Sequence, residues 1–390
     1  MTPSSRTRQA RRFILLTLGA SGLLLAGCQT GNRGGREPPR PDYVPPIIDN
    51  VPDEARNRVA LLVPLSGDDG LVGQSIANAA NLALLDSGDK TLRLTIYDTA
   101  SGGAVAATTK ALAEGSRLIL GPLLAEDVRA AAPVARRARV PVIAFSNDAA
   151  VAGDGVYILG MVPDQSIDRV VRHARGAGAS RFAALVPSGL YGQRAAQAML
   201  GAVQRSGGRV TSLQTFNRST PAVRTAVRAL NAKGGYDAVL IGDSGRFSAI
   251  AAPLLKQGPS ATARILGTEL WGSERTLGAT PSLRGAWYAT VPNLRFDQLV
   301  VRYRARYGKT PYRIASLGYD AVLLTVRNAR RWPLGGAFPA RQLTDRDGFA
   351  GVDGIFRFGG DGVATRALEV RQVTASGTTT VSPAAKTFGD

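Results

Sequence analysis

Residues 117–148, RLILGPLLAEDVRAAAPVARRARVPVIAFSND, contain the pattern that decides the fold. Two short, continuously apolar runs, 118–120 and 140–145, flank a segment of helical spacing at about 126–139. Continuous apolar runs are typical of parallel strands covered on both faces, and the small side chains of Val128, Ala131 and Ala135 recur at helical intervals between them. The stretch therefore predicts a βαβ unit.

The crossover fixes where the loops after the two strands lie. A connection of this length joins parallel strands, and such crossovers are right-handed. The loops after the two strands are therefore expected side by side at the carboxyl edge of one sheet. They are Gly121-Pro122-Leu123-Leu124 and Ser146-Asn147-Asp148. Open α/β sheets bind their ligands at this edge, so these loops are the first candidates for a binding site.

The N-terminus has the pattern of an export signal. Four arginines (residues 6, 8, 11 and 12) precede an apolar run too short to span a bilayer comfortably, and the run ends in Leu25-Ala26-Gly27-Cys28. This segment resembles the lipobox of bacterial lipoproteins, which implies that residues 1–27 are removed and that Cys28 is lipidated and acylated. Cys28 is the only cysteine in the sequence, so no disulfide can form within one molecule. In such lipoproteins an Asp after the cysteine retains the protein in the inner membrane, so Gln29 favours the outer membrane, facing the periplasm.

Composition limits the remaining possibilities. Residues 28–57 are rich in proline and are expected to form an extended tether of up to about 90 Å. The formal net charge is +19, and without the four signal-segment arginines it is +15. A basic protein often binds nucleic acid, but export and the even scatter of the arginines argue against nucleic acid as a partner. The charge instead favours attraction to anionic material of the envelope.

Strand and helix patterns repeat along the chain and predict two Rossmann-like lobes with parallel sheets. We expect lobe 1 to comprise 58–162 and 291–340, and lobe 2 to comprise 163–290 and 341–373. Three crossings between the lobes are predicted near 161–163, 290–293 and 337–341. A hairpin is predicted between 354–358 and 368–373, followed by a flexible tail at 374–390.

The order of several motifs resembles one family. Several motifs follow one another in an order that resembles that of branched-chain amino-acid receptors with the type I periplasmic-binding-protein fold. These motifs are RVALLVPLSG, ILGPLL, LYGQRAAQAM, LGYDAVLL and GIFRFGGDG. The resemblance implies two lobes joined by three crossovers and a ligand held in the cleft between them. The positions that match the family's cleft residues, or that follow them directly, are Ser66, Gly67, Leu123, Leu124, Ser146, Asn147, Asp148, Tyr191 and Asp243.

These positions carry only half of an amino-acid pocket. Leu123 and Leu124 stand where the receptors place small hydroxyl residues that hold the ligand carboxylate, and Asp148 is expected to repel that carboxylate. Ser146, Tyr191 and Asp243 retain the receptor-like chemistry. The Gly-Pro-Leu-Leu sequence more closely resembles the penicillin-binding-protein activator lipoproteins of the LpoA type, which stimulate a peptidoglycan synthase. In place of their large N-terminal domain this sequence has only the tether.

An enzyme is disfavoured by the residues available. Gly242-Asp243-Ser244-Gly245 only partly resembles a serine-nucleophile motif, and His173 is the single histidine. Asp243 and Ser244 are equally well explained as a helix cap, and Tyr191 as a packing residue near the hinge. The sequence suggests neither a metal nor a cofactor. Two functions remain open: a non-catalytic activator of a peptidoglycan synthase, and a lipid-anchored receptor for an amino-acid or related small-molecule ABC transporter.

Overall fold

The computed structural model describes residues 55–388. The predicted signal segment, Cys28, Gln29 and nearly all of the predicted tether lie outside this part of the chain. The described residues form two α/β lobes, each built around its own sheet. None of the helices in this part of the chain has the length and hydropathy that a bilayer span requires.

The first lobe contains a five-stranded parallel sheet in the order β2-β1-β3-β4-β5. Its elements are β1 (Asn57–Val63), α1 (Gly70–Ser87), β2 (Leu92–Asp98), α2 (Gly103–Ala113), β3 (Leu118–Leu120), α3 (Ala125–Arg137), β4 (Val142–Ala144) and β5 (Val156–Ile158). The predicted βαβ unit is confirmed, since β3 and β4 pair in parallel on either side of α3. Successive side chains of a strand point to opposite faces, so Leu61 and Leu62 enter two different cores, one on each face.

The second lobe repeats this arrangement in a seven-stranded sheet, ordered β15-β14-β10-β9-β8-β6-β7. Strands β6 to β10 are parallel, and β14 and β15 extend the sheet in antiparallel fashion. The elements up to β10 are α4 (Pro163–Gly176), β6 (Arg181–Pro187), α5 (Leu190–Arg205), β7 (Arg209–Phe216), α6 (Thr220–Lys233), β8 (Ala238–Ile241), α7 (Gly245–Leu255), β9 (Arg264–Gly267) and β10 (Trp287–Thr290). Both faces are covered, with Leu185 in one core and Val186 in the other.

The C-terminal third of the chain is divided between the lobes. Its elements are α8 (Leu294–Tyr307), α9 (Ala315–Ala329), β11 (Phe349–Gly351), β12 (Gly354–Phe358), β13 (Ala364–Arg366), β14 (Glu369–Thr374) and β15 (Gly377–Ser382). Helices α8 and α9 pack on α1, and the small antiparallel sheet β11-β12-β13 packs in the same core through Phe349 and Phe356. Strands β14 and β15 belong to the second sheet.

Three expectations for this third are corrected. Residues 349–364 lie in the core of lobe 1, so placing 341–373 in lobe 2 and a crossing at 337–341 was wrong. Strand β12 pairs with β11 and β13, whereas 369–374 pairs with β10, so the expected hairpin between 354–358 and 368–373 does not form. The segment 377–382, assigned to a flexible tail, is the edge strand β15. These errors share one cause: strand partners distant in sequence decide where each segment packs.

The chain passes between the lobes at three places that lie close together. The first connection runs from β5 to α4, the second from β10 to α8, and the third from β13 to β14. Arg366 in the third donates a hydrogen bond of 2.6 Å to the carbonyl of Leu159 in the first. A Cβ on Gly354 would lie 3.3 Å from Pro292 Cδ in the second, so the turn between β11 and β12 packs on that connection.

Four charged side chains surround these connections in the described part of the chain, three of them buried and the fourth, that of Arg313, 14% exposed. Arg313 donates to Asp353 Oδ1 at 2.6 Å, and Asp353 Oδ2 accepts from the Ser316 hydroxyl at 2.8 Å. Asp320 accepts from the backbone N–H of Val352 at 2.6 Å. Together with Arg366, which is 6% exposed, these residues form what we call the hinge cluster: Arg313, Asp320, Asp353 and Arg366. Buried charges are tolerated when opposite charges and hydrogen bonds compensate the loss of water. The carboxylates of the cluster are hydrogen-bonded in this way, whereas Arg313 Nη2 and the Nε and Nη1 atoms of Arg366 have no hydrogen-bond partner among the described residues.

Asp320 is the titratable member of the hinge cluster. Burial, together with repulsion by Asp353, raises the pKa of Asp320 to about 7. A Cβ on Gly351 would lie 2.3 Å from Asp320 Oδ2, so only glycine leaves room for this carboxyl group. The folded protein therefore holds the Asp320 proton more tightly than the unfolded chain does.

We predict the sign of the resulting pH dependence. Because the folded pKa lies above the unfolded one, the contribution of Asp320 to the unfolding free energy is largest below about pH 4 and is lost as the pH rises toward 7, by about 1 kcal/mol per pH unit. Asp320→Asn should remove this slope, since the amide does not titrate. Urea titrations between pH 5 and 8 measure it, with the exposed-site variant Asp345→Asn as control. Parallel stability curves for the wild type and Asp320→Asn would show that this proton is not retained on folding.

Candidate functional site

A cavity of about 360 Å³ lies between the lobes, at the carboxyl ends of the first sheet's strands. Three of the predicted cleft residues line it: Leu123, Leu124 and Asn147. Its other lining residues come from the start of α1, the loops after β4 and β9, the first and second connections, and the start of α9. The apolar ones include Val72, Phe145, Met161, Leu270, Val291, Ile314 and Leu317. The wall is therefore largely apolar, with Asp69, Glu269 and Arg313 as its charged members.

The loop that presents Leu123 and Leu124 is fixed by close backbone packing. Gly121 has φ +85°, and a Cβ there would lie 2.1 Å from the Leu62 carbonyl oxygen, so only glycine fits. The Phe145 N–H donates to the Pro122 carbonyl at 2.9 Å, which joins this loop to the loop after β4. The two loops therefore meet as the βαβ unit predicts, and the side chains that reach the cavity here are leucines, which donate no hydrogen bond.

Ser66 and Gly67 do not line the cavity. Their loop is held by Asp98, which accepts from the Leu65 N–H at 2.8 Å and from the Ser66 hydroxyl at 3.2 Å. Burial alone would raise the pKa of Asp98, but these and other hydrogen bonds outweigh it and lower the pKa. Ser66 is therefore engaged in shaping its own loop. The position of Asp98 at the end of β2 was the signal in the sequence for this role.

Ser146 and Asp148 are both buried and serve the structure of their loop. The Ser146 hydroxyl accepts from the Asp148 N–H at 3.1 Å, and Asp148 is only 2% exposed. Two arginines neutralise Asp148: Arg129 of α3 at 2.5 Å and Arg194 of α5 at 3.2 Å. The expectation that Asp148 repels a ligand carboxylate does not hold, because its charge is already paired.

The pair between Arg194 and Asp148 connects the two lobes. Arg194 lies on α5 in lobe 2, and Asp148 lies in the loop after β4 in lobe 1. We call this pair the interlobe latch. Arg194 was not among the predicted site residues, although it lies within the LYGQRAAQAM motif, three positions after Tyr191.

Tyr191 is held by a polar network within lobe 2. Its hydroxyl lies 2.9 Å from Glu269 Oε1 and 3.0 Å from Thr268 Oγ1, and the Ser166 hydroxyl donates to the other oxygen of Glu269. Burial raises the pKa of Glu269 and also, with the Glu269 charge nearby, raises that of Tyr191. Glu269 lines the cavity, whereas Tyr191 does not. Glu269 was not predicted from the sequence, because it lies outside the motifs that resemble the receptor family.

Asp243, the predicted partner of a ligand ammonium group, already has a cation. Arg218 donates to Asp243 Oδ2 at 3.0 Å, and the Ser244 N–H donates to Oδ1 at 2.7 Å. Asp243 is 2% exposed and does not line the cavity. Ser244 is the N-terminal flanking residue of α7, but its hydroxyl makes no capping hydrogen bond.

The serine-nucleophile possibility has no geometric support. The His173 ring packs edge-on against Trp287, with 4.7 Å between ring centroids. Burial, with Arg169 and Arg264 nearby, lowers the pKa of His173. Between residues 55 and 388, no hydrogen bond joins His173 to Ser244 or Asp243, and no group of three side chains has the arrangement of a metal site.

Comparison with known sequences identifies the family of this chain. Residues 57–378 match the family model described as periplasmic binding protein. An uncharacterised protein of Rickettsia prowazekii is 25% identical over 210 residues, which are 54% of this chain and 53% of that protein. The penicillin-binding protein activator LpoA of Photobacterium profundum is 27% identical over 164 residues, which are 41% of this chain and 27% of the activator. The chain thus spans about half the length of the first relative and about a quarter of the second.

Solved structures agree on the fold. A putative branched-chain amino acid ABC transporter protein from Rhodospirillum rubrum superposes with a TM-score of 0.73 at 19% identity, covering 84% of this chain and 100% of that one. Full-length LpoA from Haemophilus influenzae superposes with a TM-score of 0.65 at 18% identity, covering 84% of this chain and 59% of that one. The predicted type I fold is confirmed, and this chain belongs to the periplasmic binding protein family.

Proposed function

We propose that this chain is a non-catalytic envelope lipoprotein that binds and stimulates a peptidoglycan synthase. The stretch of sequence that it shares with penicillin-binding protein activators supports this proposal. The transporter proteins share its fold at identities too low to indicate a common ligand. The choice between the two functions therefore depends on the chemistry of the cleft.

The chemistry of the loop after β3 carries the proposal, because leucines stand there where amino-acid receptors place the hydroxyl donors that hold the ligand carboxylate. An α-amino acid needs donors for its carboxylate and an acid for its ammonium group. Leu123 and Leu124 supply no donors, and Asp243 is buried beside Arg218. Glu269 is the remaining acid of lobe 2 at the cavity, and it accepts hydrogen bonds from Tyr191 and Ser166.

The interlobe latch also supports an activator over a receptor. A receptor opens and closes around its ligand by hinge motion, and the ligand supplies the contacts that hold the lobes together. Here the side chains of Arg194 and Asp148 themselves make such a contact between the lobes. A contact supplied by the protein's own side chains suits a protein whose outer surface is recognised by a partner.

Anchoring completes the proposal. Cys28 would carry the lipid and Gln29 would direct the protein to the outer membrane, where the tether lets the lobes reach toward the cell wall. Confinement near the wall raises the effective concentration of the lobes at the synthase. The basic surface would favour approach to anionic wall material, and an exposed lobe face would contact the synthase. Mass spectrometry of the N-terminal peptide checks the lipid on Cys28.

A transport receptor is the second candidate, and the cavity itself favours it. Its volume of about 360 Å³ falls within the range of about 300–1,000 Å³ common for small-molecule sites. Such a receptor would take a ligand more apolar than a free amino acid.

We predict that Arg194→Ala opens the lobes. Removing the guanidinium breaks the interlobe latch, while Arg129 still neutralises Asp148, so the fold should persist with a loss of about 1 kcal/mol in unfolding free energy. Small-angle X-ray scattering should show a larger radius of gyration. Arg172→Ala, which removes an ion pair within α4, is the matched control. An unchanged radius of gyration for Arg194→Ala would argue that the latch does not hold the lobes.

We predict that the full chain stimulates a synthase from its own organism. A pull-down from envelope extracts identifies the enzyme, and a reconstituted assay of glycan polymerisation and crosslinking should show a several-fold rise in rate. Leu124→Asp, which alters only the cleft, should stimulate equally well, because the contact lies on a lobe face. Loss of nutrient uptake on deletion, with no stimulation of any synthase, would favour the receptor instead.

A further inference from the structure

A second cavity, of about 540 Å³, adjoins the cleft cavity. The two share Gly272, Ser273 and Arg313 in their walls, so they are adjacent cavities between the lobes. We call them the cleft chamber and the polar chamber. The polar chamber is formed by the loop after β9, the start of α8, the loop before α9 and the turn between β14 and β15.

The two chambers differ in chemistry. The cleft chamber is walled mainly by aliphatic side chains and Phe145. The polar chamber contains two acids, three arginines and two tyrosines, which are Glu274, Asp297, Arg275, Arg313, Arg371, Tyr288 and Tyr312. An apolar chamber beside a polar one is complementary to a molecule that has an apolar part and a polar part.

Some charged side chains of the polar chamber are already paired within the protein, and this limits which charges the chamber can offer to the polar part of a ligand. Arg313 is paired with Asp353 at 2.6 Å, and Arg371 is paired with Glu369 at 2.5 Å. Arg275 and Asp297 are exposed, and neither forms an ion pair with another residue of the 55–388 region. Glu274 accepts one hydrogen bond, from the Gly245 N–H at 3.0 Å. Among the residues that the structure describes, Arg275, Asp297 and Glu274 therefore remain to meet a ligand, and Arg313 keeps one guanidinium nitrogen, Nη2, without a hydrogen-bond partner. The chamber thus offers partners for both a negative and a positive group.

We propose that the two chambers together bind one amphiphile, with its apolar tail in the cleft chamber and a zwitterionic head in the polar chamber. The anionic group of the head would meet Arg275, and its cationic group would meet Asp297 and Glu274 beside the ring of Tyr312. The tail would contact Leu123 and Leu124, which stand where amino-acid receptors place hydroxyl donors. Binding by this site does not depend on whether the protein stimulates a synthase.

Dodecylphosphocholine, used below the concentration at which it forms micelles, is a suitable probe. It is titrated calorimetrically into the full chain purified without detergent. We expect saturable binding of one molecule per chain. Dodecanoate and dodecyltrimethylammonium, which each lack one charge of the head, should bind at least tenfold more weakly. Absence of saturable binding, or equal affinity for the three heads, would overturn the proposal.

Two variants test the chambers separately. Leu124→Asp places a charge in the cleft chamber, and it suits the backbone because Leu124 is the N-terminal flanking residue of α3, where Asp is favoured. Arg275→Glu reverses the charge in the polar chamber at an exposed position. Each should weaken dodecylphosphocholine binding at least tenfold, whereas Arg341→Glu, at an exposed site outside both chambers, should not. Circular dichroism confirms folding of each variant, and unchanged affinity in either chamber variant would contradict the proposed site.

Discussion

The relative placement of the lobes depends on four charged side chains, three of them buried, where the three connections meet. Arg366 on the third connection reaches the backbone of the first, Arg313 holds Asp353, and the turn that contains Asp353 packs on the second. Removing one partner would leave an uncompensated buried charge, so the cluster tolerates little rearrangement. The lobes thus have a compact hinge on one side and the pair of Arg194 and Asp148 across the cleft. Both features limit how the cleft can open.

Much of the fold follows from local pattern. Parallel strands such as β3 and β4 are continuously apolar because helices cover both faces, and their loops meet at one edge because the strands run in the same direction. The region after α9 could not be placed in this way. Strands β12 and β14 have similar patterns, but one packs beside α9 and the other beside β10. Only contacts between segments distant in sequence decide that difference.

The candidate site was predictable in position and less so in chemistry. Leu123, Leu124 and Asn147 reach the cavity because they follow β3 and β4 directly. Ser146, Asp148 and Asp243 also occupy strand ends, but their polar atoms are satisfied by protein groups. Sequence identifies a carboxylate without identifying the arginine that neutralises it, so Arg129, Arg194 and Arg218 had to be found in the structure. The same limit applies to Glu269, whose role depends on Tyr191 and Ser166.

These contacts suggest how a receptor fold can serve another function. Several polar groups at the positions that bind an amino acid in the receptors are retained in kind but bonded to other groups of the protein, and most of the cavity wall is apolar. Titration calorimetry of leucine into the full chain tests this account most directly. The account predicts no saturable heat up to millimolar leucine, whereas binding with a micromolar dissociation constant, worth about −8 kcal/mol, would contradict it.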